Sequence, residues 1–317
     1  VILLGFVITV LNNLFMSVLQ SLGDSSTPFW ALLVSSVTNI GLDCVFVLTL
    51  KWGVQGAAAA TVLSQVFSFA ICAAGLKRLK FVSILDGSKS KNARLTVRML
   101  KTGLPVGIMS MVTAVGGMIL QFFVNDLGAS AVAAYAASTK IRSVIGEFSN
   151  AMGMTFMTFV GQNYGAQKYD RIRQSVWVCM GMSVVLTGAM SALVITFRPF
   201  ILGIYTTDPA VIRLGAYVMA WTVPFNVLFM PVEVFAGAMR GTGCSVLPTV
   251  ITCVCVCVFR VVWIFTVVRM WHRIELLAVC YPLSWLLAAT VFSIVYFQGG
   301  WLRRRIAQCG MEPEARV

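Results

Sequence analysis

Histidine is almost missing from this sequence: His272 is the only one among 317 residues. That scarcity excludes catalytic and metal centres built on paired imidazoles, and His272, in a short loop, has no arrangement of carboxylates around it that suggests catalysis. Charge is scarce as well, at 11% of residues, with 11 Asp and Glu against 24 Lys and Arg. Apolar residues make up 59% of the chain and the mean hydropathy is +0.88, which an ordinary water-soluble domain of this length does not reach. The nine cysteines form no CxxC pair, and Cys253, Cys255 and Cys257 alternate at i, i+2, so successive thiols point about 200° apart on a helix. They do not chelate together and read as small apolar fillers. Strand alternation is absent from the apolar runs, so the chain is expected to be all-α.

What the chain does have is a succession of runs of about 20 mostly apolar residues, the length a helix needs to cross ~30 Å of hydrocarbon. Nine are placed at 1–20, 28–50, 54–76, 103–125, 130–162, 174–197, 209–240, 246–270 and 276–300. The net charge of +13 follows the topology this implies. If the linker after the third run is cytoplasmic, its Lys77, Arg78, Lys80, Lys89, Lys91, Arg94, Arg98 and Lys101 obey the positive-inside rule. Alternation puts Lys168, Arg171, Arg173, Arg240 and the Arg303–Arg305 tail on the same side, and Lys51, Arg198, Arg213, Arg269 and Arg273 on the other. The lipid bilayer is therefore the expected partner, with no nucleic acid, in a bacterial-type cell membrane and as a monomer.

Aligned with itself at an offset of 220, the chain places Gly23 on Gly243, Ser25 on Ser245 and Pro28 on Pro248. "LQSLGDSSTP" and "MRGTGCSVLP" are one turn written twice, each between two apolar runs. In it, Gly23 permits a tight turn, Asp24 or the hydroxyls cap the next helix, and Pro28 suits its first turn. Six runs follow the linker with the turn between the fourth and fifth; only three precede it, with the turn between the first and second. The expectation is a two-lobe helical bundle with nine of twelve transmembrane helices present. Residues 1–76 would form a partial N-terminal lobe, 77–102 a basic linker, 103–300 the C-terminal lobe and 301–317 a cytoplasmic tail. Parallel repeats of six spans are an architecture of secondary transporters.

Function must come from polar residues placed where they are costly. Asp43 lies about 10 Å inside its run, where a charged carboxylate costs ~2.5 to 3.5 kcal/mol. Asn39 shares its face at i, i+4, and a hairpin turning near Trp52 sets Thr61 at the same depth. Gly56 and Ala57–Ala60 let the two helices approach closely. Such a group holds a proton or a small cation, or else staples two helices. Glu233 and Arg260 occupy adjacent runs, as cleft groups or as a structural pair, and Gln121 is a further candidate for the cleft. Lys140, Arg142 and Glu147 point to an outer interface or a wet cleft, and Pro224 and Pro231 kink the seventh run. "FVGQNYGAQKYDRIRQ" is Gly-rich but has no GK[ST] and no strand before it, so it reads as a helix end rather than a nucleotide loop.

At these residues the chain resembles the multidrug and toxic compound extrusion (MATE) family of cation-coupled efflux transporters. The resemblance rests on the order and spacing of "SLGDSSTP", "NIGLD", "GVQGAAAAT", "TGLPVG", "FVGQNYGAQ" and "MRGTGCSVLP". In the DinF-like branch, the resemblance implies that Asn39, Asp43 and Thr61 belong to the cation or proton site. A further acidic residue of that branch belongs to a first helix that precedes these runs. The NorM-like branch has a Glu eight residues after the Gly-x-Pro proline; counting from Pro105, this chain has Thr113. The expectation is a secondary antiporter, not an enzyme and without a cofactor. It would export organic, cationic or amphipathic compounds in exchange for H⁺ or Na⁺ by alternating access. A lipid-linked oligosaccharide or lipid flippase of the same superfamily is the alternative.

Overall fold

A computed structural model describes residues 2–78, 93–271, 273–298, 300 and 302. The chain divides into two compact units, Val1–Lys91 and Asn92–Val317. His272, the linker lysines Lys80, Lys89 and Lys91, and the Arg303–Arg305 tail lie outside the described residues. Every regular element among the described residues is helical.

In the first unit, α1 (Ile2–Ser21) and α2 (Ser26–Asp43) both pack along α3 (Gly53–Arg78). The reason is legible on α3, whose buried residues recur every fourth position: Gly56, Ala60, Ser64, Ser68, Cys72 and Leu76. Five of these six are small, and an i, i+4 row of small side chains is a groove that admits a neighbouring helix. Gly56 is one such close approach, since a Cβ there would stand 3.1 Å from the Phe46 carbonyl oxygen. Polar groups join the helices across this groove, while the Ser64 hydroxyl itself donates within α3 to the Thr61 carbonyl at 2.8 Å. Asn12 of α1 donates to Gln65 Oε1 at 2.8 Å and accepts from the Ser68 hydroxyl at 3.1 Å, while the Ser35 hydroxyl donates to the Ser64 carbonyl at 2.9 Å.

The second unit comprises α4 (Ala93–Asn125), α5 (Ala129–Gly165), α6 (Tyr169–Thr196) and the short α7 (Arg198–Tyr205). Then come α8 (Pro209–Thr222), a 3-10 turn over Pro224–Phe229, and α9 (Met230–Gly241). The kink expected from Pro224 and Pro231 is this 3-10 break, with Pro224 opening it and Pro231 in the first turn of α9. The next run, Val246–Trp271, is built of α10 (Val246–Thr252), α11 (Phe259–Trp263) and α12 (Arg269–Trp271), joined by π-helical segments Cys253–Val258 and Ile264–Val268. Helix α13 (Ile274–Gln298) completes the unit. Helix α5 is its axis, packing on α6, α8 and α9. The α5–α9 crossing is tight because glycines line it: a Cβ on Gly237 would stand 3.0 Å from the Gly153 carbonyl oxygen, and one on Gly241 would stand 2.6 Å from that of Met157.

The repeat extends well beyond the turn. Gly23 and Gly243 have φ of 91° and 81°, and their amides donate to Gln20 and Arg240 at 3.1 and 2.9 Å. The next residues, Asp24 and Cys244, donate to Leu19 and Met239 at 3.0 and 2.9 Å. At the same offset, π segment Cys44–Thr49 falls on Ile264–Val268, and the α3 stripe falls on the fully buried Cys280, Ser284, Ala288 and Phe292 of α13. The two turns differ in their caps. Asp24 Oδ1 accepts from the Ser26 and Thr27 amides at 3.1 and 3.0 Å, and its Oδ2 accepts from the Thr27 hydroxyl at 2.6 Å. The Thr27 hydroxyl and amide hold the Asp24 carboxyl below its ordinary value of 3.8. Cys244 offers no such acceptor, and the Ser245 and Thr249 hydroxyls beside it are buried without partners.

Among the described residues, seven helices are long and apolar enough to cross a membrane, and the protein is a multi-span membrane protein. Two of the nine expected runs fall short of that measure for different reasons. The apolar part of α1, Gly5–Ser21, is shorter, whereas α5 is 37 residues long but carries Lys140, Arg142, Glu147 and many Ser and Thr. Part of that polarity faces a cavity.

Candidate functional site

In the first unit, α2 sets Asn39 and Asp43 one turn apart, and Asp43 is its last residue before the π segment. A π segment at this point turns the helix out of its 3.6-residue register, a device common at functional sites. Asn39 Nδ2 and Asp43 Oδ1 are both buried, and neither has a hydrogen-bond partner. Such orphaned groups are rare, because each carries its desolvation cost uncompensated. A proton on Asp43 would donate to an amide oxygen, and a small cation would take oxygens from both side chains, since the amide can turn either end toward it. Thr61 is exposed, and its hydroxyl donates to the Ala57 carbonyl at 2.9 Å within α3. The structure therefore brings Asn39 and Asp43 together as unsatisfied groups and leaves the Thr61 hydroxyl committed to its own helix. Sequence reading missed the Asn12–Gln65–Ser68 network, whose signal was an amide in the middle of each of two apolar runs.

In the second unit, residues from α4, α5, α9, the Val246–Trp271 run and α13 enclose a cavity of about 520 Å³. Gln121, Glu233 and Arg260 all line it, so the three polar candidates share one site. The pairing expected for Glu233 and Arg260 is not found. Arg260 donates from Nε to the Ser284 hydroxyl at 2.9 Å, and its guanidinium stacks 4.2 Å from the centre of the Tyr281 ring. The cation whose field reaches Glu233 is Arg240, seven residues on and so on the same face of α9. Sequence order placed Glu233 and Arg260 in neighbouring runs, but the two intervening breaks in helical register set their directions apart. Gln121 donates to Asn125 at 3.0 Å, and Thr113 lines the same cavity.

Two further arginines belong to this cavity. Arg142 of α5 stacks 4.4 Å from the centre of that same Tyr281 ring and 6.0 Å from Trp285. The Tyr281 hydroxyl is held by that of Tyr135 at 2.7 Å. Arg240, in the last turn of α9, lines the cavity with its Nε buried and unpartnered and one Nη against Met109 Sδ at 3.2 Å. Glu233 is accommodated by a missing side chain, since a Cβ on Gly153 would stand 2.6 Å from its Oε2. Gly116, Gly117 and Gly146 enlarge the cavity, because a Cβ on any of them would meet nothing within 4 Å. No group of three or more His, Cys, Asp or Glu able to hold a metal occurs among the described residues.

A family model described as MatE matches residues 105–266. YoeA of Bacillus subtilis, named a probable multidrug resistance protein, is 27% identical over 301 residues, covering 92% of this chain and 64% of that protein. The FAD transporter of Shewanella oneidensis is 23% identical over 236 residues, covering 70% of this chain and 50% of that protein. The crystal structure of a mutant of the Vibrio cholerae MATE transporter VcmN superposes with a TM-score of 0.86 over 94% of this chain and 67% of that one, at 18% identity, a likeness of fold. The chain thus spans about two thirds or less of the length of these relatives. The matched segment covers half of the chain, with the turn at Gly243 and the cavity arginines Arg142, Arg240 and Arg260 inside it, and the chain belongs to the MatE family.

Proposed function

We propose that the chain is the greater part of a secondary antiporter of the bacterial cytoplasmic membrane, exporting organic, amphipathic compounds in exchange for H⁺ or Na⁺. The observation that carries this reading is the pair of buried, unpartnered groups Asn39 Nδ2 and Asp43 Oδ1 inside an apolar span. A carboxylate there is stable in two loaded forms, protonated or cation-bound, and poorly stable empty. A coupling ion shifts alternating access only if it prefers one state, and an ion that completes this unsatisfied site in one state supplies that preference. Multidrug resistance and drug export in the names of YoeA and of the Staphylococcus aureus protein MepA support an organic cargo.

The test is dye transport in inside-out vesicles energised in turn by a proton and a sodium gradient. Asp43→Asn is expected to abolish gradient-driven uptake while leaving equilibrium dye binding intact. Uptake by the Asn variant at the unaltered rate would remove Asp43 from coupling. Thr61→Val is expected to have a weaker effect than Asp43→Asn, because the Thr61 hydroxyl is already bonded within α3.

A further inference from the structure

We propose that the cavity of the second unit is a binding site for an organic anion, its carboxylate or phosphate group held by Arg142 and Arg260 and its apolar body resting on the contacting rings of Phe229 and Trp285 that line the same cavity. The first support is charge. Three guanidinium groups, Arg142, Arg240 and Arg260, line the cavity against one carboxylate, Glu233, and the field of that carboxylate falls on Arg240. Arg142 and Arg260 are left without an acidic partner among the described residues. Both are anchored at one ring, within 4.4 Å of the centre of Tyr281, so their charges add at one end of the cavity. The second support is donor geometry. Only Nε of Arg260 is used, by Ser284, and Arg142 has no hydrogen bond among the described residues, so the Nη groups of both remain for a multi-oxygen anion. Tyr281, itself fixed by Tyr135, holds the two side chains so that little rotamer freedom is lost on binding.

The third support comes from the repeat. At the offset of 220, Arg260 stands where the first copy has Ile40, Tyr281 where it has Thr61, and Trp285 where it has Gln65. The first copy builds the same turn, π segment and buried stripe without a cation or an aromatic ring at those positions. The arginine–aromatic cluster is thus an addition to the shared framework and not a requirement of it. At about 520 Å³ the cavity has the size of small-molecule sites. That the bound anion is the exported cargo rests on the efflux reading; that the site binds an anion does not.

The test is equilibrium binding of radiolabelled indole-3-acetate to the 317-residue chain in phosphatidylcholine nanodiscs, with tryptamine and neutral indole as competitors of the same ring size. Indole-3-acetate is expected to bind at least ten-fold more tightly than tryptamine, and 0.5 M salt to narrow that gap. Arg142→Gln and Arg260→Gln should each weaken indole-3-acetate about ten-fold while indole affinity stays unchanged, which also reports an intact cavity. Arg260→Lys keeps the charge and should retain the preference for the anion at reduced affinity. Equal affinity for the acid and the amine in the unaltered chain, or an anion preference that survives in the Arg142→Gln/Arg260→Gln double variant, overturns the proposal. Adding phosphatidylglycerol separates two sources of the same chemistry: displacement assigns the site to an anionic lipid headgroup, and no displacement assigns it to a free organic anion. No gradient enters this measurement, so its failure is distinct from loss of coupled transport in Asp43→Asn.

Discussion

Replacing Gly241 with Ala adds one methyl group at the tightest point of the second unit. The new Cβ would stand 2.6 Å from the Met157 carbonyl oxygen and 2.9 Å from Val160 Cβ and Cγ1. The oxygen belongs to the α5 backbone and cannot rotate away, and Val160 is itself fully buried, so α5 and α9 must separate by several tenths of an ångström. Overpacking of this kind costs about 1–3 kcal/mol, and the better helix propensity of Ala returns roughly 0.5–1 kcal/mol. The net loss is on the order of 1–2 kcal/mol, or about 2–8 °C in melting temperature for a unit of this size. Gly117→Ala is the internal control, because a Cβ there meets nothing within 4 Å and only the propensity term remains. The assay is the temperature at which half of the detergent-solubilised chain is lost from its gel-filtration peak. Gly241→Ala should melt below the unaltered chain and Gly117→Ala at or slightly above it. A Gly241→Ala variant that melts no lower would mean that α5 and α9 are not in the close contact on which the cavity's shape depends.

Other variants address the turn, the ring and the cavity volume. Asp24→Ala should cost about 1 kcal/mol at neutral pH, through loss of the cap on α2. Because the folded carboxyl titrates below its ordinary value of 3.8, its stabilisation is complete above that pH and is lost as pH falls through the lowered value. The melting temperatures of Asp24→Ala and the unaltered chain should therefore differ at pH 7 and converge as the pH falls below 3.8 and through the lowered value. Tyr281→Phe keeps the ring under both arginines and removes one of the two side-chain partners of the buried Tyr135 hydroxyl, leaving Thr139, at about 0.5–1.5 kcal/mol by thermal melting. Tyr281→Leu should lose more, since the two cation–π contacts go as well. Gly117→Leu projects a side chain into open cavity, and is expected to lower dye transport several-fold with a melting temperature within ~1 °C of the control.

How much of this was legible depended on whether a feature is local in the chain. The paired turns were readable because a positive-φ glycine and the residues after it form one short motif, and the structure carries that likeness through the π segments and the buried stripes of α3 and α13. The helical runs follow from hydropathy, and most of their ends do to within a few residues; α4 begins at Ala93, ten residues before the expected start, and α6 at Tyr169, five before, because polar and basic turns extend both helices beyond their apolar stretches. The glycines Gly237 and Gly241, four apart on α9, were a readable packing signal that counting apolar residues passes over.

The cavity was not legible, for a physical reason that its residues make plain. Arg142, Arg260 and Tyr281 come from three helices separated by more than a hundred residues in one direction and twenty in the other, and what joins them is a ring that each helix reaches by its own rotation. Adjacency of runs says nothing of rotation, and between Glu233 and Arg260 lie both the turn at Gly243 and the π segment Cys253–Val258, which changes the direction in which Arg260 leaves its helix. In the first unit, Asn39 and Asp43 lie on regular α-helix up to Asp43, whereas the expectation for Thr61 counts across the π segment Cys44–Thr49 and the turn at Trp52. Arg142, Arg260 and Tyr281 meet only through the packing of three helices, so the candidate anion site emerges from the structure; Asn39 and Asp43 share one helix, so the candidate coupling site could be proposed from the sequence.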